Sequence, residues 1–177
     1  RGPGSNKIRS MKVVLIEPPQ INEGNISRFF GSFGTSKADF VWPPLELMSI
    51  AGYLNKFKIK TSLYDAGGLR KNFDDVKRFI AQEHPQVVIF STSTTTIYSD
   101  VLVADITREV SPDIITVAVG AHVMALPEET LKLAPKLNAA VYGDDEEIIV
   151  KDLIESLPKL SSVKGICYRE EAGTIKR

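Results

Sequence analysis

Short strand-like runs alternate with helical repeats about five times along this chain, and that alternation constrains the fold more than any other feature. Val13-Val14-Leu15-Ile16 and Val87-Val88-Ile89-Phe90 are continuous and apolar, so both faces of those strands must be covered. That is the condition of a parallel sheet held between two layers of helix. Further strands are predicted at Lys60 to Tyr64, Ile114 to Val119 and Ala139 to Tyr142. Leu47, Ile50, Ala51 and Leu54 recur at helical spacing behind Pro43-Pro44, and proline suits a first turn where its missing N–H would lack a partner anyway. Asp74 to Gln82, Val101 to Val110, a short segment opened by Pro127-Glu128-Glu129, and Asp144 to Leu157 read as the remaining helices. The fold class expected is α/β: a doubly wound, five-stranded parallel sheet over residues 11–160. Residues 161–177 break the pattern and read as a small C-terminal β-hairpin, with Gly165 to Arg169 and Gly173 to Ile175 flanking a turn at Glu171-Ala172-Gly173.

Residues 1–10 are set aside. Arg1-Gly2-Pro3-Gly4-Ser5 looks like a protease-site scar followed by a disordered lead, and Met11 reads as the natural start with no signal peptide behind it. Lys plus Arg and Asp plus Glu both number 22, so the formal charge is zero and the basic excess needed to track phosphates is missing. Nucleic acid is therefore not an expected partner. No apolar run approaches the ~20 residues of a membrane span. The single cysteine, Cys167, permits no disulfide framework within the chain, and a reducing cytoplasm is the expected setting.

Open parallel sheets bind ligands beyond the carboxyl ends of their strands, where the winding reverses. Here those positions are glycine, small or hydroxylic: Gly67, Gly68, Ser91, Thr92, Ser93, Gly120, Ala121 and Gly143. Such a rim lets a large flat ligand approach the backbone closely, while hydroxyls and free N–H groups bond its polar edge. Tight turns alone demand the same residues, so each position taken singly fits either account. The common phosphate binders of this architecture are disfavoured. Glu17-Pro18-Pro19-Gln20 follows the first strand where a dinucleotide site needs Gly-x-Gly-x-x-Gly, and no Walker loop is present. A flavodoxin-type flavin site would put its hydroxyl-rich loop after strand one, but Ser91-Thr92-Ser93-Thr94-Thr95-Thr96 follows strand three. A receiver domain would end strand three on aspartate, where this chain has Ser91.

An ordered set of short motifs carries a family resemblance. It runs from Glu17-Pro18-Pro19 through Pro43-Pro44-Leu45 with Leu47, Asp65-Ala66 and Ser91-Thr92-Ser93 to Val119-Gly120-Ala121-His122-Val123. Ala125-Leu126-Pro127-Glu128-Glu129, Val141-Tyr142-Gly143 and Gly165-Ile166-Cys167-Tyr168-Arg169 complete it. Together they resemble the N-terminal cobalamin-binding domain of cobalamin-dependent radical S-adenosylmethionine enzymes, a group containing methyltransferases and the anaerobic magnesium-protoporphyrin monomethyl ester oxidative cyclase. The resemblance implies a flavodoxin-like or Rossmann-like fold of the cobalamin-binding type. It implies that Pro18, Pro19, Asp65, Ala66, Gly67, Ser91, Thr92, Ser93, Thr94, Gly120, Ala121, His122, Gly143, Asp144 and Glu146 hold the cofactor.

The chain departs from that family at two places. Gly143-Asp144-Asp145-Glu146 stands where the family reads Gly-Glu-Gly-Glu, and Asp145 tolerates positive φ less well than glycine. Ala121 replaces the second glycine before His122. Cobalamin mutases supply a histidine to cobalt from Asp-x-His-x-x-Gly, but Asp65 is followed by Ala66-Gly67-Gly68. What the resemblance implies instead is the state typical of the related radical enzymes, cobalamin with its own base displaced and no histidine on cobalt; His122 would bond the corrin edge or pack its turn, and His84 is read as structural. The loop from Ile21 to Trp42 carries Phe29, Phe30, Phe33, Phe40 and Trp42, which could cover the upper corrin face, dock onto the catalytic domain of the parent, or fold onto the domain's own core. Tyr98 and Ser99 leave the same choice open.

A radical S-adenosylmethionine domain needs three cysteines spaced Cys-x-x-x-Cys-x-x-Cys, and one cysteine cannot hold that cluster. S-adenosylmethionine and the iron–sulfur cluster are thus expected only in a following domain of the parent, which would be this chain's protein partner. The chain alone is expected to bind cofactor without catalysing a reaction. The competing class is a non-catalytic flavodoxin-like module that binds a partner protein or nucleotide.

Overall fold

The computed structural model describes residues 11–19 and 42–177, with the backbone of two short strands between them, Asn25–Ile26 and Thr35–Ser36. The phenylalanines of the long loop lie outside the described residues. Strands are numbered β1 (Lys12–Glu17), β2 (Asn25–Ile26), β3 (Thr35–Ser36), β4 (Lys60–Asp65), β5 (Val87–Ser91), β6 (Ile115–Val119), β7 (Ala139–Val141), β8 (Ile166–Arg169) and β9 (Ile175–Lys176). The helices are α1 (Leu45–Lys56), α2 (Phe73–Glu83), α3 (Ile97–Asp100), α4 (Leu102–Val110), α5 (Ala121–Ala125), α6 (Pro127–Leu133) and α7 (Glu146–Ser156).

A seven-stranded sheet runs in the order β4-β1-β5-β6-β7-β8-β9, and β2 pairs with β3 alone. Its first five strands are parallel, as the alternation predicts, and the winding reverses between β1 and β5. Consecutive apolar residues work as the two-sided burial requires. Val13 and Leu15 pack against Leu47, Ile50 and Leu54 of α1 and Val150 and Leu153 of α7. Val14 and Ile16 point the other way, into a core with Val76, Ile80, Val103 and Leu131 from α2, α4 and α6. Among the described residues no helix is long and apolar enough to cross a membrane.

The C-terminal hairpin extends the sheet instead of standing apart from it. β8 runs antiparallel to β7, and β9 closes the edge through a turn in which Gly173 has φ 87°. Arg169 fastens this edge, because its guanidinium donates to the carbonyls of Leu131, of Ala134 at 3.5 Å and of Leu137 at 3.4 Å. Those acceptors lie at and beyond the C-terminal end of α6, where carbonyls lack helical partners. Cys167 is buried in this layer, and burial pushes its thiol up, so it acts as a small apolar residue. The helix expected over Val101 to Val110 forms as α4, and a short helix outside that span, α3, precedes it and meets it at Val101.

Candidate functional site

Parallel strands end on one rim, and at the reversal point between β1 and β5 two helices cannot both cover it. Four segments build that rim: the hydroxyl turn after β5, the glycine turn after β6, and the first residues of α1 and of α7.

The hydroxyl turn is fixed at its base and open at its tip. Thr92 is buried, and both its N–H (2.9 Å) and its hydroxyl (2.7 Å) donate to the Val119 carbonyl. Ser93 and Thr96 are buried too. The Ser93 N–H (3.0 Å) and the Thr96 hydroxyl (2.6 Å) both donate to one oxygen of Asp100. Thr94 and Thr95, between them, are exposed. The Thr94 hydroxyl lies 3.2 Å from Nδ1 of His122, a buried ring whose pKa burial holds below the ordinary histidine value. Burial thus favours the neutral form of the ring, against the pull of Asp100 and Glu129 nearby.

The opposite side of the rim is acidic. Glu17 ends β1, Glu46 lies in the first turn of α1, and Glu146 opens α7. The Ser91 hydroxyl donates to Glu17. The Gly120 N–H donates to Glu146 at 2.8 Å, which offsets part of the upward push that burial gives that carboxyl. Burial, with Glu146 and Glu17 nearby, pushes Glu46 up to about 7. Three acids converge because each sits where a parallel strand or a helix N-terminus delivers it, two of them against positive dipole ends.

Gly120 joins the two sides. Its φ is 98°, and a Cβ there would lie 2.8 Å from the Thr92 carbonyl oxygen and 3.4 Å from Glu46 Oε2. Only glycine lets β6 turn this close to the β5 turn.

The structure brings most of the sequence-predicted positions to this rim and separates others. Ser91, Thr92, Ser93, Thr94, Gly120, Ala121, His122 and Glu146 meet around the two turns, with Ala121 exposed. Pro18 and Pro19 are buried where β1 ends, and Ala66 donates its N–H to the Glu17 carbonyl at 3.1 Å. Asp65 folds back on its own turn, accepting from the Gly68 N–H at 2.7 Å, with Gly67 buried inside it. Gly143 packs against Gly165 and Ile149, while Asp144 is exposed. Glu46 and Asp100 were not among the predicted site residues. Glu46 reads in sequence as an ordinary first-turn acid, and Asp100 lies inside an apparently helical stretch. The spacing of Thr96 and Asp100, four apart behind a hydroxyl run, was the available signal. Among the described residues no group of three or more His, Cys, Asp or Glu is arranged to hold a metal ion.

A protein-family model described as "B12 binding domain" matches residues 31–151. An uncharacterized methyltransferase of Pyrococcus horikoshii is 28% identical over 166 residues, covering 92% of this chain and 34% of the relative. The anaerobic magnesium-protoporphyrin IX monomethyl ester cyclase of Rubrivivax gelatinosus is 29% identical over 140 residues, covering 76% of this chain and 25% of that protein. The chain thus spans about a third and a quarter of these two relatives. Among solved structures, the cobalamin-dependent S-adenosylmethionine radical enzyme OxsB, with aqua-cobalamin and S-adenosylmethionine bound, superposes with TM-score 0.72 at 20% identity. That alignment covers 94% of this chain and 22% of OxsB.

Proposed function

This chain belongs to the B12-binding domain family, and from that premise we propose that it holds cobalamin base-off on the rim after β5, β6 and β7, as the cofactor-binding part of a radical S-adenosylmethionine enzyme. One observation carries the placement: the exposed Thr94–Thr95 tip and the Gly120 turn lie side by side at the ends of the adjacent strands β5 and β6, next to the reversal between β1 and β5, over bases that are buried and hydrogen-bonded.

The donor set suits the cofactor. A corrin is bordered by neutral primary amides, which both donate and accept hydrogen bonds. The rim offers the exposed hydroxyls of Thr94 and Thr95 and the carboxyl groups of Glu46 and Glu146, both raised by burial towards the protonated form. Ala121 and Gly143 add little side-chain bulk where a flat ring would lie. Of the candidate residues, Thr94, Ala121 and Asp144 stand at the exposed edge; Ser91, Thr92, Ser93 and Gly120 support them from below. Pro18, Pro19, Asp65, Ala66 and Gly67 shape the floor between β1 and β4.

The base-off state is carried over from the family resemblance, and the absence of a histidine on cobalt is supported by where the two histidines of the sequence lie. His84 precedes β5, at the edge of the sheet opposite the rim. His122 is buried, with Nδ1 engaged by Thr94. When bound in the parent, the cofactor would supply methyl transfer or the radical chemistry of an oxidative cyclisation. The share of this chain is to bind and orient it. S-adenosylmethionine and the iron–sulfur cluster would belong to the rest of the parent.

The test is an ultraviolet–visible titration with hydroxocobalamin, followed by desalting. Retained corrin with a base-off spectrum, unchanged in His122→Ala, is expected. A histidine-ligated spectrum that disappears in His122→Ala would overturn the axial assignment. No retained corrin at saturating ligand would overturn the holding role and favour a module that binds a partner protein or nucleotide.

A further inference from the structure

Six consecutive small hydroxylic residues, Ser91–Thr96, have no bulky side chain to fix their path. Each hydroxyl can bond nearby backbone in several ways, so such a run is conformationally ambiguous by itself. In this structure one buried carboxylate resolves it. Asp100 is 0% exposed, and the same oxygen, Oδ2, accepts from the Ser93 N–H at 3.0 Å and the Thr96 hydroxyl at 2.6 Å. The Thr96 N–H closes the turn on the Ser93 carbonyl at 3.1 Å, and the Ser93 and Thr95 hydroxyls lie 3.0 Å apart. The two residues held by Asp100 are those that flank the exposed tip, Thr94 and Thr95.

We propose that Asp100 is a positioning residue for the corrin: through Ser93 and Thr96 it holds the Thr94–Thr95 tip in one conformation before the ligand arrives. This rests on the reading that cobalamin sits on the rim. The physical gain is preorganisation. A loop already ordered loses less conformational freedom on binding, and the saving appears mainly as slower release. Asp100 need not touch the ligand, and its depth below the surface argues that it acts through the turn.

Three variants of the full chain test this: Asp100→Ala, Thr96→Val and Thr96→Ser. Valine matches threonine in shape but removes the donor to Asp100, whereas serine keeps it. Release of bound hydroxocobalamin should accelerate on the order of 10-fold in Asp100→Ala and Thr96→Val, and by less than about 2-fold in Thr96→Ser. Wild-type chain that retains corrin, with Thr96→Val and Thr96→Ser both releasing it at the wild-type rate, would overturn the positioning role even if Thr96→Val melts lower. If Asp100→Ala does not fold, the valine–serine pair decides alone. Wild-type chain that retains no corrin would instead overturn the cobalamin reading, and the positioning role with it.

Discussion

Asp100 and Glu46 are both carboxylates drawn into the same rim, one on each side of the sheet, and they keep different company. Asp100 accepts two hydrogen bonds at one oxygen from a turn seven and four residues away in sequence. Glu46 faces two other acids, Glu146 and Glu17, whose nearness together with burial pushes it up to about 7. A buried carboxylate with donors fixes a conformation, because moving any partner strands a polar group away from water. A carboxylate among carboxylates makes stability depend on protons. One rim thus combines a side fixed by hydrogen bonds with a side sensitive to pH, and Gly120 touches both.

Gly120→Ala is expected to have the largest effect, because it strikes both sides. Its added methyl would meet the backbone carbonyl of Thr92, which has no flexible end to swing away, at a φ of 98° that disfavours any Cβ. Strain of this kind costs on the order of 3 kcal/mol. Denaturant unfolding at pH 5 and pH 8 would separate the two contributions. Alanine keeps the backbone N–H that bonds Glu146, but a turn pushed away from Thr92 would lengthen that bond. The Glu146 carboxyl would then rise further, so the cost should be greater at pH 8. An equal cost at both pH values would locate the damage wholly at the Thr92 turn.

Glu46→Gln comes next. An acid whose pKa is raised on folding binds its proton more tightly in the native state, so its contribution is most favourable below pH 4.5, its unfolded value. Stability is then lost as pH climbs from 4.5 towards about 7, and levels off above that. The full shift would correspond to roughly 3 kcal/mol at ~1.4 kcal/mol per unit. Because Glu46 is partly solvated, screening reduces this to about 1–2 kcal/mol. Glu46→Gln should therefore stabilise the chain by that amount at pH 8, with little change at pH 4.5. Some slope should persist, since Glu146 is also raised by burial and by Glu147. A variant with the wild-type slope would remove Glu46 from the pH-sensitive side of the comparison.

The two sides also differ in how far sequence reveals them. The five parallel strands and their helices are legible because each signal is local: the continuous apolar runs at β1 and β5, and the Leu47, Ile50, Leu54 stripe of α1. The glycine and hydroxyl turns are legible because chain reversal at a strand end demands such residues. The hairpin was legible as a hairpin, but not as the sixth and seventh strands, since its anchor is Arg169 reaching carbonyls more than thirty residues earlier. Glu46 is not legible, because its environment is made by residues 29 positions before and 100 after it. Asp100 was within reach, as its partners are close in sequence, yet its burial depends on how α3 and α4 break at Val101.

The smallest expected effect comes from the far end of α1, and it checks that the pH slope belongs to Glu46 and not to the helix at large. Lys58 is exposed with φ 63°, in the left-handed region, where its N–H donates to the Asn55 carbonyl at 3.0 Å. A side chain there costs roughly 1 kcal/mol relative to glycine. Glycine also makes the unfolded chain freer, and loss of the lysine removes a cation near the helix C-terminus, together offsetting about half of that gain. Lys58→Gly should therefore raise stability by about 0.5 kcal/mol. The gain should be the same at pH 5 and pH 8, because no acid of the rim lies near that turn. A gain that changes between those two pH values would mean that α1 transmits its stability along its length to the Glu46 cluster, and the two ends of the helix could then no longer be treated as independent.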